Sequence, residues 1–235
     1  MTGPVALVGA GEFLPVMADV DRDLLGATGV VRPRVAVVPT ASYPDGEHVF
    51  RRWAALGIEH FGALGAEVEA VLVRGRADAD DPTHAQAVGE ADLVYFSGGK
   101  PDHLLKSLAG SAVWSAALAV HARGGVLAGC SAGAMVLAGR QALLRRRMLP
   151  FPMRWQTALD VVPGTAVFPH YDRIPEPIAA LMALQAPRGT AVIGIDEATA
   201  LVGHDGAWQV VGRSRVTIWR GRHRTRYHPG DLIRL

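Results

Sequence analysis

A serine set between two glycines, Gly129-Cys130-Ser131-Ala132-Gly133, carries the most direct chemical meaning in this chain. The apolar run Val126-Leu127-Ala128 leads into it, and a helix-forming run leaves it. G-x-S-x-G between a strand and a helix fits a nucleophile elbow, a strained turn that lifts a serine hydroxyl clear of a sheet. Glycines at its ends leave space where side chains would clash. The N–H of Ala132 then faces an oxyanion forming beside Ser131. An activated serine needs a base, and the base needs an orienting group. Among nine histidines, His170 is the best placed, after the serine in chain order and at the exit of a strand expected over 165–168. His103, on the helix that follows Gly98-Gly99, is the second candidate. Asp160, Asp172, Glu176 and Glu197 are the carboxylates that could orient His170, and sequence spacing does not choose among them.

Other residues fall where open α/β sheets place ligands, just past strand ends. Gly98 and Gly99 follow the apolar run 93–96 and let backbone N–H groups approach a ligand closely. Thr40-Ala41-Ser42 follows the run 34–38, while Glu12 and Asp196-Glu197 follow two more. For these acids, capping and turn hydrogen bonds are the simpler reading. Lys100 could contact a substrate carboxylate or point to solvent. The arginines at 140, 145, 146, 147 and 154 form either a solvated surface stretch or a basic rim that draws acidic substrates, with Arg146 and Arg154 as binding candidates. Cys130 should face away from the serine, into the sheet, as a buried structural thiol. The first glycine loop lacks a complete G-x-G-x-x-G, and there is no H-E-x-x-H or paired-cysteine pattern. Neither a metal nor a cofactor is expected.

The elements that must position these groups alternate. Short apolar runs at 5–8, 34–38, 68–73, 93–96, 126–130, 165–168 and 191–195 read as buried strands, separated by helical stretches at 13–27, 48–64, 83–90, 101–108, 113–123, 132 to about 144, and 175–184. This alternation predicts an α/β fold, a doubly wound, mostly parallel sheet flanked by helices as a three-layer sandwich. Runs at 199–202, 208–211 and 216–219 read as C-terminal antiparallel strands, joined by turns at His204-Asp205-Gly206 and Gly212-Arg213-Ser214. Residues 145–163, with Arg145-Arg146-Arg147, three prolines and Trp155, break the rhythm as an excursion that could cover the site.

The chain has 235 residues, 49% of them hydrophobic, which suits one α/β domain over residues 1–235. A formal net charge of +2 gives no polyanion-binding signature, so nucleic acid is not an expected partner. The single cysteine rules out an internal disulfide and fits a reducing compartment. No apolar stretch approaches the roughly 20 residues that span a bilayer. A cytoplasmic location without membrane contact is the expectation. A homodimer stays open.

Five segments together resemble peptidase family S51, which includes dipeptidase E and cyanophycinase. They are Val38-Pro39-Thr40-Ala41-Ser42, Tyr95-Phe96-Ser97-Gly98-Gly99, Gly129-Cys130-Ser131-Ala132-Gly133-Ala134, Pro169-His170-Tyr171, and Gly194-Ile195-Asp196-Glu197-Ala198-Thr199-Ala200-Leu201. They occur in the family's order and span nearly the whole chain. The resemblance implies a fold like that of class I glutamine amidotransferases, with Ser131 as nucleophile and His170 as base. It also implies that the Gly98-Gly99 loop supplies a second oxyanion donor beside Ala132. The implied substrate is a small peptide, of Asp-X type in dipeptidase E-like members or an aspartate–arginine polymer in cyanophycinases. A basic rim favours the first. Two departures stand out. The resemblance places the triad acid soon after the elbow helix, yet residues 139–148 hold no carboxylate, and the first acid after Ser131 is Asp160. Loss of that acid would make the chain a catalytically impaired relative that binds a small ligand or partner. Lys100 stands where the family usually has an asparagine-like residue.

Overall fold

The computed structural model of the chain describes residues 2–143 and 152–235. In order, the chain forms β1 (Val5–Val8), α1 (Ala18–Ala27), β2 (Arg34–Val38), α2 (Glu47–Ala63), β3 (Glu67–Ala70), α3 (Arg76–Ala79), α4 (Pro82–Gly89) and β4 (Leu93–Phe96). There follow α5 (Pro101–Leu108), α6 (Ala112–Ala122), β5 (Val126–Cys130), α7 (Ala132–Leu137), β6 (Ala138–Leu143), β7 (Arg154–Thr157) and β8 (Val162–Phe168). The last third adds α8 (Glu176–Leu184), β9 (Ala191–Ile195), β10 (Thr199–His204), β11 (Ala207–Gly212), β12 (Val216–Arg220), β13 (His223–Tyr227) and β14 (Leu232–Arg234).

The strands build two sheets. The larger has eight, in the order β14-β11-β10-β1-β5-β4-β2-β3. Its half from β1 to β3 is parallel, and its half from β10 to β14 is antiparallel. Side chains along β1 alternate between faces, as the period of a strand requires. Val5 and Leu7 join a core roofed by Leu104, Leu108, Trp114, Ala117 and Val136. Ala6 and Val8 join the opposite core under Val20, Leu24 and Phe61. Burial on both faces explains why β1, β2, β4 and β5 read as unbroken apolar runs. No single helix among the described residues is long and apolar enough to cross a membrane.

The second sheet was not legible as a separate unit. It has six strands, in the order β13-β12-β9-β8-β6-β7. Ile193, Ile195, Val216 and Ile218 from it pack into the same core as Leu7 and Leu127. Its other face is covered by α8, with Phe168, Tyr171, Met182, Val192 and Trp219 in contact.

Three expectations change here. The elbow helix ends at Leu137, not near 144, and residues 138–143 are strand β6. All six residues of α7 are buried, and such a short apolar run fits a buried helix and a buried strand equally well. The strand around 165–168 lies inside the second sheet, parallel to both β6 and β9. The three C-terminal runs are not one meander either. β10 and β11 pair in the large sheet, whereas β12 crosses to pair with β9. Arg154 opens edge strand β7, opposite Leu143 on β6. Arg145, Arg146 and Arg147 lie outside the described residues.

Trp219 on β12 donates its indole N–H to the Tyr171 hydroxyl at 2.7 Å inside this second core. Trp219→Phe leaves that buried hydroxyl without its donor, and we expect a loss of about 1–3 kcal/mol in urea unfolding. Adding Tyr171→Phe removes the orphaned group and should return part of the loss.

Candidate active site

Ser131 immediately follows β5. Its N–H is bonded to the Val8 carbonyl of β1 at 2.9 Å, and its backbone is held at φ 51, ψ −106. That region is sterically unfavourable for a residue with a side chain, so the surrounding packing must hold it. The glycines of the elbow show how tight that packing is. A Cβ on Gly133 would lie 2.2 Å from the Phe96 carbonyl oxygen, and one on Gly129 would lie 2.5 Å from Gly133. Close approach of α7 to β4 also brings the loop after β4 to the serine, so that a Cβ on Gly98 would be 3.3 Å from Ser131 Cβ.

The partners come from the other sheet. β8 and β9 run parallel with Phe168 opposite Gly194. His170 and Glu197 therefore leave the same end of the sheet, two and three residues beyond that pair. His170 Nε2 lies 3.2 Å from Ser131 Oγ, and His170 Nδ1 lies 2.8 Å from Glu197 Oε1. His170 itself adopts left-handed backbone geometry, φ 49 and ψ 39. The Tyr171 ring behind it rests on bare backbone, because a Cβ on Gly194 would come within 2.2 Å of the ring.

Glu197 is the one acid of the four candidates on the imidazole. Its carboxylate also receives Arg173, at 2.8 Å to Oε1 and 3.0 Å to Oε2. The hydrogen bond from His170, then that from Arg173, hold its pKa below the usual glutamate range, against the opposing effect of burial. Asp172 serves it indirectly, accepting the Glu197 N–H at 2.9 Å. Glu176 pairs with Arg224 and Arg226. Asp160 sits in the turn before β8, where its N–H is bonded to the Ala138 carbonyl. The acid implied soon after the elbow helix has no counterpart over 139–143, a segment of strand β6 that contains no Asp or Glu. His103, the alternative base, is committed to the Arg74 carbonyl at 2.8 Å.

The oxyanion candidates separate as well. Gly98 is buried, and its N–H donates to Glu12 Oε1 at 2.8 Å, so it is not free for a ligand. Lys100 N–H donates to the Ala41 carbonyl at 2.6 Å. The N–H groups of Gly99 and Ala132 have no hydrogen-bond partner among the described residues. Lys100 Nζ lies 3.0 Å from Asp45. Arg154 is exposed on its edge strand. Cys130 is buried as expected, with its thiol 2.9 Å from Glu12 Oε2. Among the described residues no three His, Cys, Asp or Glu side chains gather as a metal would need. Sequence reading passed over Arg173, whose one signal was its place three residues after His170.

The lowered Glu197 pKa has a signed consequence for stability. A carboxylate stabilised in the folded state contributes fully above its unfolded pKa and loses that contribution as pH falls through the folded value. The difference in thermal stability between wild type and Glu197→Gln should therefore be largest near neutral pH and shrink at about pH 3. A difference that stays constant over that range would show the carboxylate charge to be irrelevant.

Comparison with known proteins agrees with this geometry. The family model for peptidase family S51 matches residues 5–211. A peptidase from an acI-B1 actinobacterium is 33% identical, with a TM-score of 0.89 over 100% of this chain and 98% of that one. A Listeria monocytogenes EGD-e protein described as a peptidase E shares the fold at 18% identity, with a TM-score of 0.65 over 91% of this chain and 100% of that one. No curated protein matches the sequence. A serine elbow facing a histidine–glutamate pair, in a chain that the family model covers almost from end to end, identifies the protein as a member of peptidase family S51.

Proposed function

We propose that the protein is a serine-type exopeptidase or dipeptidase that hydrolyses small acidic peptides, of Asp-X type, through an acyl-enzyme. The observation that carries this reading is the continuous chain from Ser131 Oγ to His170 to Glu197, at 3.2 and 2.8 Å. In this mechanism Ser131 attacks the scissile carbonyl while His170 Nε2 takes its proton. Glu197 holds the imidazole by Nδ1 and stabilises the imidazolium. The N–H groups of Gly99 and Ala132 receive the oxyanion. His170 then protonates the leaving amine, and water repeats the sequence to release the acid. Glu197 supplies the carboxylate whose lack favoured an impaired relative, so the active reading is preferred.

Lys100 supports an acidic substrate. It follows the oxyanion loop, and its ammonium is held by Asp45 at 3.0 Å and is 43% exposed, within reach of an exchange of one carboxylate for another. Arg173 adds a second cation beside Glu197. The lone buried Cys130 suits a reducing, cytoplasmic setting.

Intact-mass analysis after fluorophosphonate treatment should show one adduct, absent in Ser131→Ala. Glu197→Gln should lower kcat about 10²- to 10⁴-fold. No adduct on folded wild-type protein would instead favour a ligand-binding role. Asp-X peptides should be turned over faster than Arg-bearing ones, and Lys100→Met should raise KM for Asp-X about tenfold with kcat little changed. Preference for the Arg-bearing peptides would replace this substrate class with a cyanophycinase-like one.

A further inference from the structure

Glu12 is a buried acid that the steps above do not use. It follows β1, is 7% exposed, and lies under the loop that joins β4 to α5. A carboxyl group withdrawn from water this far needs partners for its oxygens. Both have one. Oε1 accepts the Gly98 N–H at 2.8 Å, and Oε2 accepts the Cys130 thiol at 2.9 Å. Burial pushes the Cys130 thiol well above its ordinary range, which keeps the proton on sulfur for this bond. One side chain thus ties the oxyanion loop to the residue just before the nucleophile.

The consequence concerns which peptide faces the substrate. The N–H on either side of Gly99 is committed inward, Gly98 to Glu12 and Lys100 to the Ala41 carbonyl at 2.6 Å. Gly99, at φ +141 and exposed, is left with its N–H free. The fit is close, since a Cβ on Gly98 would sit 2.5 Å from Glu12 Oε1 and 3.3 Å from Ser131 Cβ. The residue after Glu12, Phe13, has φ 63, so the chain accepts backbone strain to deliver the carboxyl group here.

We propose that Glu12 is a positioning residue for the peptidase reaction: by pinning the Gly98 N–H it fixes the Ser97–Gly98 peptide and so sets the loop in which the Gly99 N–H, and not that of Gly98, serves the oxyanion. This rests on the serine-peptidase reading given above. Glu12 acts through the loop and does not touch substrate.

The test compares Glu12→Gln, Glu12→Asp and Glu12→Ala by steady-state kinetics on an Asp-X peptide and by the rate of fluorophosphonate labelling, with circular dichroism and thermal unfolding as the check on folding. Glutamine keeps an acceptor for Gly98 and offers a donor to the Cys130 sulfur, so kcat should stay within about threefold of wild type. Aspartate keeps the carboxyl group but is one methylene too short to reach. It should lower kcat about 10²-fold, the scale of a lost oxyanion donor, with KM changed less than threefold. Alanine should do the same, and aspartate keeps the test open if alanine does not fold. A folded Glu12→Asp with wild-type kcat and labelling rate overturns the inference and leaves the peptidase reading standing. So does a fall in kcat that glutamine does not rescue. Wild-type protein that neither labels nor cleaves overturns the peptidase reading, and the role of Glu12 falls with it.

Discussion

One imidazole ring spans the seam between two sheets. His170 reaches Ser131 at 3.2 Å with one nitrogen and Glu197 at 2.8 Å with the other. Ser131 follows strand β5 of the large sheet, whereas His170 and Glu197 follow strands β8 and β9 of the small one. The geometry therefore depends on how rigidly the two sheets share a core. They do so through Leu7, Leu127, Val167, Ile193 and Ile218, which pack as one cluster. The parallel register of β8 and β9 then fixes where the histidine and the glutamate emerge. A shift of one residue would turn side chains to opposite faces and separate the pair.

Strain collects where this machinery is held. Ser131 and His170 have positive φ, and so do the residues that directly follow Glu12 and Glu197, namely Phe13 and Ala198. Each such residue costs on the order of 1–3 kcal/mol, which only a well-packed frame can absorb. The frame here includes bare backbone at Gly133 against Phe96 and at Gly194 against Tyr171, with no room for a methyl group at either. Electrostatics adds a second restraint. The Glu197 carboxylate is gripped by His170 on one side and by Arg173 on the other, while Asp172 receives its N–H. The Arg173 side chain is 70% exposed, so solvent screens its pull and the His170 contact dominates.

The large sheet and the elbow were legible because their signals are local. Unbroken apolar runs mark strands buried on both faces, and G-x-S-x-G between a strand and a helix needs only a few consecutive residues. The second sheet was hidden for the same reason. Residues 132–143 carry an apolar pattern that suits a helix as well as a helix followed by a strand, and β6 exists because β8 lies beside it to pair with. β12 likewise reads as a partner of β11, yet it finds β9.

The site divides along the same line. Sequence alone singled out the serine of the elbow, the histidine after a strand end, and a glycine pair able to bring N–H groups close to a ligand. It left four acids open and two glycines equivalent, because those choices depend on contacts between distant segments. Glu197 reaches His170 from 27 residues away through the β8–β9 register. Glu12 claims the Gly98 N–H from 86 residues away and leaves that of Gly99 free. Local spacing specifies which groups a turn can present. Which group meets a partner is decided by strand pairing and burial, and these exist only once the two sheets have packed together.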